Sequence, residues 1–154
     1  MNITESMADQ VRRKVLAMPM AQTLRLAFRR IEPGDVELEV PVQDGWCFRP
    51  GQLQATAVFA AADFAAVAAA GTLLPPGFVN ATIDASLKLI APAQGTHLIA
   101  RGRVVNASRL LTVCAADVYA VSDDGETLCA TLLATARNID TQAPQRVKPM
   151  AVAG

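Results

Sequence analysis

The sequence predicts an α+β protein in which a six-stranded antiparallel sheet wraps around one long central helix. Residues 54–70 indicate the helix: they are rich in alanine and apolar on all sides, and such a helix has to be buried all round. Six other segments alternate apolar and polar residues, which is the pattern of half-buried strands. With 154 residues, the chain has the length of a single domain, 1–154.

The central helix contains one acidic residue, Asp63, near its middle. Gly71 is the glycine expected just past a helix end. The positions that share the helix face of Asp63 hold no cation; they are Thr56, Phe59, Ala60, Ala66, Val67 and Ala70. A buried carboxylate without a partner is costly, and perturbed acids collect at sites of chemistry. Asp63 is therefore a candidate functional residue, the alternative being an aspartate that reaches a solvent gap.

Composition argues against several classes of protein. A formal net charge of zero leaves no electrostatic footprint for nucleic acid. A central aspartate costs about 2.5–3.5 kcal/mol in a membrane helix, so residues 54–70 are not expected to span a membrane. The hydrophobic fraction of 52% exceeds the usual range of about 45–50%. The surplus apolar surface indicates a subunit interface.

The cysteines and the start of the chain indicate a cytoplasmic location. Cys47, Cys114 and Cys129 are odd in number and lack metal-site spacing, which fits reduced thiols. A single histidine argues against a zinc site. The first residues include Glu5 and Asp9 and no apolar core segment, so no secretory signal is expected.

One helix and two strands are predicted before the central helix. Residues 5–18 place apolar side chains at helical spacing; these are Met7, Val11, Val15 and Met18. Alternation predicts strands over 22–31 and 36–42, separated by a turn at Pro33-Gly34-Asp35. A loop over 43–51 then leads into the helix.

Four strands are predicted after the central helix. They cover 79–90, 97–105, 109–121 and 126–138. In the second of these, Ala100 and Gly102 lie on the face expected to meet the helix, because small residues allow close approach. The tail over 141–154 has no pattern and is expected to be loose. Such a sheet buries the helix completely only if another subunit closes its open side.

Several local strings, in their order and spacing, resemble the hotdog fold and, within it, the phenylacetyl-CoA-type acyl-CoA thioesterases. Arg49-Pro50-Gly51 leads into AAADFA at 60–65, which is similar to the helix motif of that family. TIDASLKLIAPAQG at 82–95 and the two strands over 100–138 are similar to its later motifs. The family usually opens its helix with His-Gly-Gly, nine residues before the catalytic acid. This chain has Gln54-Ala55-Thr56 there.

The resemblance implies an acyl-CoA thioesterase in which Asp63 is the general base or the nucleophile. The main-chain N–H of Ala55 would polarise the thioester carbonyl, because free N–H groups and the helix dipole favour a developing negative oxygen. Gln54 or Gln52 would orient water or the carbonyl, with a solvated loop glutamine as the alternative. No metal and no cofactor are implied, since coenzyme A is part of the substrate.

The resemblance also implies a substrate site around the start of the helix. Trp46 and Phe48 precede the helix and would wall the acyl pocket, with ordinary core packing as the alternative. Thr56 and Phe59 would contact substrate from the first turns. Arginines would meet the phosphates of coenzyme A, with a plain exposed role as the alternative; the candidates are Arg101, Arg103 and Arg109.

Two other functions compete with hydrolysis. A non-catalytic hotdog protein that binds acyl-CoA or lipid is favoured by the missing His-Gly-Gly. A hotdog dehydratase or hydratase is disfavoured, because those enzymes pair an acid with a histidine that is absent here. A serine triad has no support, since no G-x-S-x-G occurs.

The predicted strand 79–90 is expected to pair with its two-fold mate, because an unpaired edge is a liability. This gives a homodimer. The resemblance implies that two such dimers form a tetramer.

Overall fold

The computed structural model describes residues 5–144. Two short helices come first, α1 (Met7–Leu16) and α2 (Pro19–Thr23). Strands β1 (Ala27–Glu32), β2 (Asp35–Pro41), β3 (Cys47–Arg49) and β4 (Gln52–Leu53) lead to the central helix α3 (Ala55–Gly71). The later strands are β5 (Phe78–Leu89), β6 (His97–Ala107), β7 (Leu111–Ser122) and β8 (Gly125–Asp140). Most of the tail predicted over 141–154 lies outside the described residues.

Six strands form one antiparallel sheet in the order β1-β2-β6-β7-β8-β5, with α3 packed against it. This confirms the predicted α+β architecture. The inner face of the sheet carries fully buried apolar residues such as Leu38, Leu98 and Leu132. β5 forms one edge of the sheet. Strands β3 and β4 form a separate two-stranded ladder just before α3.

Gly102 lies where the helix and the sheet come closest. A Cβ atom added to it would stand 2.0 Å from the carbonyl oxygen of Ala65 in α3, which is far inside van der Waals contact. The prediction that this face of β6 meets the helix is therefore confirmed. The absence of a side chain at this position lets α3 lie directly on the strand.

The predicted helix 5–18 and strand 22–31 are wrong at their boundary. Met18 is extended and Pro19 starts a second helix, because the residue before a proline avoids the helical region and proline suits the first helical position. Arg25 then has a φ of 53°, and the strand starts only at Ala27. Leu24 is buried from the turn after α2, not from a strand.

The strand predicted over 79–90 does not keep one alternation throughout. A bulge between Thr82 and Asp84 shifts the register against β8, and such an extra residue reverses which face each side chain occupies. Before the bulge, the polar residues Asn80 and Thr82 face α3. Ile83 lies at the bulge and is 57% exposed, although the predicted alternation placed it on the inner face.

The central helix is not buried all round in a single chain. Its sheet side is fully buried, but Ala55, Thr56 and Phe59 are exposed on the other side. None of the helices within residues 5–144 is long and apolar enough to cross a membrane.

Candidate active site

Asp63 lies on the side of α3 that turns away from the middle of the sheet and is half-buried. The hydroxyl of Thr82 donates a hydrogen bond to its Oδ1 at 2.8 Å. No cation within residues 5–144 comes within salt-bridge distance of it. Burial raises the pKa of Asp63, and the Thr82 hydrogen bond opposes this in part. A carboxylate with a raised pKa is a stronger base.

Thr82 is the functional candidate that the strand pattern did not reveal. It reaches Asp63 only because it precedes the β5 bulge and so faces the helix. Uninterrupted alternation, with the apolar residues inward, would have turned its hydroxyl away from α3. The available signal was its place as the first residue of the string TIDAS, which begins the resemblance in this strand.

A cavity of about 700 Å³ extends from Asp63 between α1, α3 and the first half of β5. Its walls are mainly apolar and include Val15 from α1, Phe64 and Val67 from α3, and Phe78 from β5. A cavity of this size and character suits an organic ligand. The carboxylate of Asp63 is the acidic group on its wall.

The start of α3 offers main-chain donors. Gln54 is the extended residue before the helix, and its side chain makes no capping hydrogen bond. Its own N–H donates to the carbonyl oxygen of Trp46 at 2.9 Å, whereas the N–H of Ala55 has no main-chain acceptor within residues 5–144. Free N–H groups at a helix start favour negative charge.

A second, smaller cavity of about 320 Å³ lies beside this helix start. Ala55 and Phe48 line it, together with Ile90 from the segment after β5. Phe48 is 58% exposed and Trp46 is half-buried. Phe48 lines this cavity, and Trp46 does not.

Ala55 and Asp63 stand at different levels of the same helix. Eight residues separate them, which corresponds to about 12 Å along the axis. Phe59 lies between them and is 38% exposed. Within one chain, the N–H of Ala55 and the carboxylate of Asp63 therefore cannot contact the same carbonyl group.

The arginines expected at phosphate groups are not beside Asp63. Arg101 and Arg103 alternate with Ala100 and Gly102, so they project from the outer face of the sheet, opposite α3. The guanidinium of Arg101 contacts Glu37 at 2.7 Å and Glu126 at 2.8 Å, and it lies 4.6 Å from the ring centre of Tyr119. That of Arg103 contacts Asp117 at 3.2 Å.

Arg109 differs from these two arginines. It is exposed in the turn between β6 and β7. It has no ion-pair partner in the part of the chain that the structure describes. Its guanidinium is therefore available to an anion.

Two of the cysteines, Cys114 and Cys129, are not suited to act as nucleophiles. Cys114 and Cys129 are buried, and burial raises the pKa of each thiol to about 11, so both are protonated at neutral pH. The charge of Asp63 adds to the shift at Cys114. Among residues 5–144, no group of three or more His, Cys, Asp or Glu side chains could hold a metal ion.

Comparisons with known proteins agree with this geometry. No family model and no curated protein matches the chain. Among solved structures, a thioesterase family protein from Silicibacter pomeroyi is 30% identical, with a TM-score of 0.85, over 88% of this chain and 99% of that one. The six-stranded sheet around α3 and this relative together identify the chain as a hotdog-fold thioester hydrolase. The chain belongs to the thioesterase family.

Two further structures share the fold. A phenylacetic acid degradation-related protein from Ralstonia eutropha is 24% identical, with a TM-score of 0.73, over 85% of this chain and 98% of that one. A thioesterase from Haemophilus influenzae is 17% identical, with a TM-score of 0.78, over 93% of this chain and 96% of that one. At these identities the likeness concerns the fold alone.

Proposed function

We propose that the protein hydrolyses acyl-CoA thioesters and that Asp63 is the reacting carboxylate. The observation that carries this proposal is the position of Asp63: half-buried, without a cation, and on the wall of an apolar cavity. Thr82 holds one carboxylate oxygen and leaves the other free to act. Membership of the thioesterase family supports the reaction class.

Asp63 has two chemically balanced routes to the product. As a base, it takes a proton from a water molecule whose oxygen attacks the thioester carbonyl. As a nucleophile, its free oxygen attacks that carbonyl to give a mixed anhydride, which water then hydrolyses. In both routes the C–S bond breaks and coenzyme A leaves as a thiolate. A thiol pKa of about 8.5 makes a general acid dispensable, so the reaction does not require a histidine.

The distance along α3 supports a site that is completed by a second copy of the chain. About 12 Å separates Ala55 from Asp63 in one chain, whereas two antiparallel copies of α3 would place Ala55 of the partner subunit opposite Asp63. The exposed side chains of Thr56 and Phe59 would then lie in the interface. The edge position of β5 supports the same pairing, because exposed edges invite strand addition.

This arrangement assigns roles to both cavities. The acyl group would extend from Asp63 into the larger cavity, and the thiol arm would pass along the smaller one, beside Phe48 and Ala55 of the partner subunit. Gln54 would orient the attacking water from the same helix start. Of the three arginines expected at the phosphates, Arg109 is the best candidate, because Arg101 and Arg103 already have acidic partners.

A second candidate function is acyl-CoA binding without turnover. Gln54-Ala55-Thr56 in place of the usual His-Gly-Gly favours it. Ala55 retains its N–H, however, and a main-chain donor does not depend on the side chain. Hydrolysis is therefore the proposal that accounts for more of the site.

Asp63→Asn tests the proposal, because asparagine keeps the shape and the hydrogen bond from Thr82 but loses the basic oxygen. Free-thiol release from a panel of acyl-CoAs should fall by about 10²-fold or more. Acyl-CoA affinity should stay within a few-fold. Asp84→Asn is the matched control: Asp84 is exposed on the outer face of the same strand as Thr82, and its loss should leave turnover unchanged.

Unaltered turnover in Asp63→Asn would assign Asp63 a structural role. No turnover by the wild type on any acyl-CoA, combined with tight binding, would establish the binding protein instead.

A further inference from the structure

The larger cavity has an apolar wall supplied by α1, which lies outside the sheet and α3. Val11 and Val15 of α1 line this cavity of about 700 Å³ together with Phe64 and Val67 of α3. On the β5 wall, the side-chain amide of Asn80 is already used within the protein, because it donates to the carbonyl oxygen of Val67 at 3.0 Å.

The inner walls of the cavity are therefore mainly apolar, apart from the region near Asp63 and the exposed rim. The amide of Gln10, on the α1 wall, donates to the main-chain carbonyl of Glu5 at 3.1 Å. Lys14 lines the cavity but is exposed. An occupant with a polar or charged tail would find no fixed partner on the inner walls, whereas an apolar tail would need none.

Helix α1 is held in place by apolar contact. Within residues 5–144, no hydrogen bond or ion pair joins residues 5–16 to any residue beyond Gln22. Its ion pairs are local, Arg13 with Glu5 at 2.9 Å and Arg12 with Asp9 at 3.3 Å. An apolar ligand can therefore exchange contacts with α1 without breaking a polar one.

We propose that α1 is the specificity-determining wall of the acyl site and selects acyl groups with a large apolar tail, either a medium-length alkyl chain or an aryl group. This rests on the proposed function, since it places the thioester carbonyl at Asp63 and the tail between α1 and α3. Each buried methylene strengthens binding by up to about 4-fold, so short acyl groups bind weakly. Val15, which is buried and lines the cavity, controls the space available.

The test measures affinity without turnover, in Asp63→Asn protein, by calorimetry with acetyl-, decanoyl- and phenylacetyl-CoA. Decanoyl-CoA or phenylacetyl-CoA should bind at least about 10-fold more tightly than acetyl-CoA. Adding Val15→Trp, which fills the cavity, should remove about 10-fold or more of that preference while acetyl-CoA affinity stays within about 2-fold. The two larger ligands distinguish an alkyl site from an aryl site.

Two variants guard against a folding artefact. Val15→Ala enlarges the cavity, so it should preserve or increase the preference for decanoyl-CoA, opposite to the tryptophan. Met20→Trp on α2 places the same bulk at an exposed position that does not line the cavity, so it should change no affinity.

Equal affinity for acetyl-, decanoyl- and phenylacetyl-CoA in the parent would overturn the inference. So would equal weakening of all three ligands by Val15→Trp in a variant that keeps its circular dichroism spectrum. Selective binding without hydrolysis by the wild type would remove only the proposed hydrolase function. If the wild type hydrolyses all three acyl-CoAs equally well, only the proposed role of α1 is contradicted.

Discussion

The sheet side of α3 is built from alanines such as Ala57, Ala61 and Ala65, all buried, whereas its other side carries Thr56, Phe59 and Asp63 and is partly open. The first side is limited by space, because the sheet approaches so closely that Gly102 meets the main chain of Ala65. The second side has room for larger and polar residues. Residue choice on one side is therefore explained by packing, and on the other by chemistry.

The largest effect is expected on turnover, from Ala55→Pro on the open side of α3. Proline removes the N–H proposed as oxyanion donor, yet it suits the first position of a helix, and Gln54 already has the extended conformation that a following proline requires. Turnover should fall by about 10²–10³-fold, as for other oxyanion donors, with the melting temperature nearly unchanged. Steady-state thiol release and thermal unfolding measure the two quantities.

Ala55→Gly is the control for this substitution, because glycine keeps the N–H. It should retain turnover within a few-fold. Full activity in Ala55→Pro would mean that another donor, such as the N–H of Thr56, polarises the carbonyl.

The second-largest effect is expected on the free energy of unfolding, from Gly102→Ala on the sheet side of α3. The new Cβ would collide with the carbonyl of Ala65, so α3 or β6 has to shift, and overpacking of this kind costs about 1–3 kcal/mol or more. Denaturant unfolding should show this loss. Gly45→Ala is the matched control, since a Cβ there meets nothing within 4 Å. Similar small losses in both variants would show that α3 does not lie on β6 this closely.

The smallest effect is on stability, from Asp63→Asn. Burial raises the pKa of Asp63 in the folded protein, so folding favours the protonated form. The charged form therefore costs stability at neutral pH, and this cost disappears as the pH falls below the unfolded-state pKa of about 3.9. Asp63→Asn should be more stable than the wild type at pH 7, and the difference should shrink as the pH falls toward the unfolded-state pKa and be lost below about pH 4.

Urea unfolding at both pH values measures this difference. A difference that does not change with pH would mean that the pKa of Asp63 is not raised in the folded protein.

The features that sequence predicted correctly depend on local pattern. Alanine content predicted α3, and the small residues Ala100 and Gly102 identified the strand face that meets the helix. Each of these signals lies within one short segment of the sequence. They require no knowledge of which distant segments are neighbours.

The features that sequence did not predict depend on distant neighbours or on a one-residue irregularity. Thr82 reaches Asp63 because of a bulge, and alternation alone gives no sign of it. Arg101 is engaged by Glu37 and Glu126, which stand on other elements and 64 and 25 residues away. Only the strand order brings these charges together.

We propose that Asp63 and Ala55 act together from two different chains. Refolding Asp63→Asn and Ala55→Pro together in equal amounts, each nearly inactive alone, tests this pairing. Half of the dimers are then mixed, and each mixed dimer has one intact site, so turnover should recover to about a quarter of the wild-type value. Turnover that stays at the level of the separate variants would contradict a shared site.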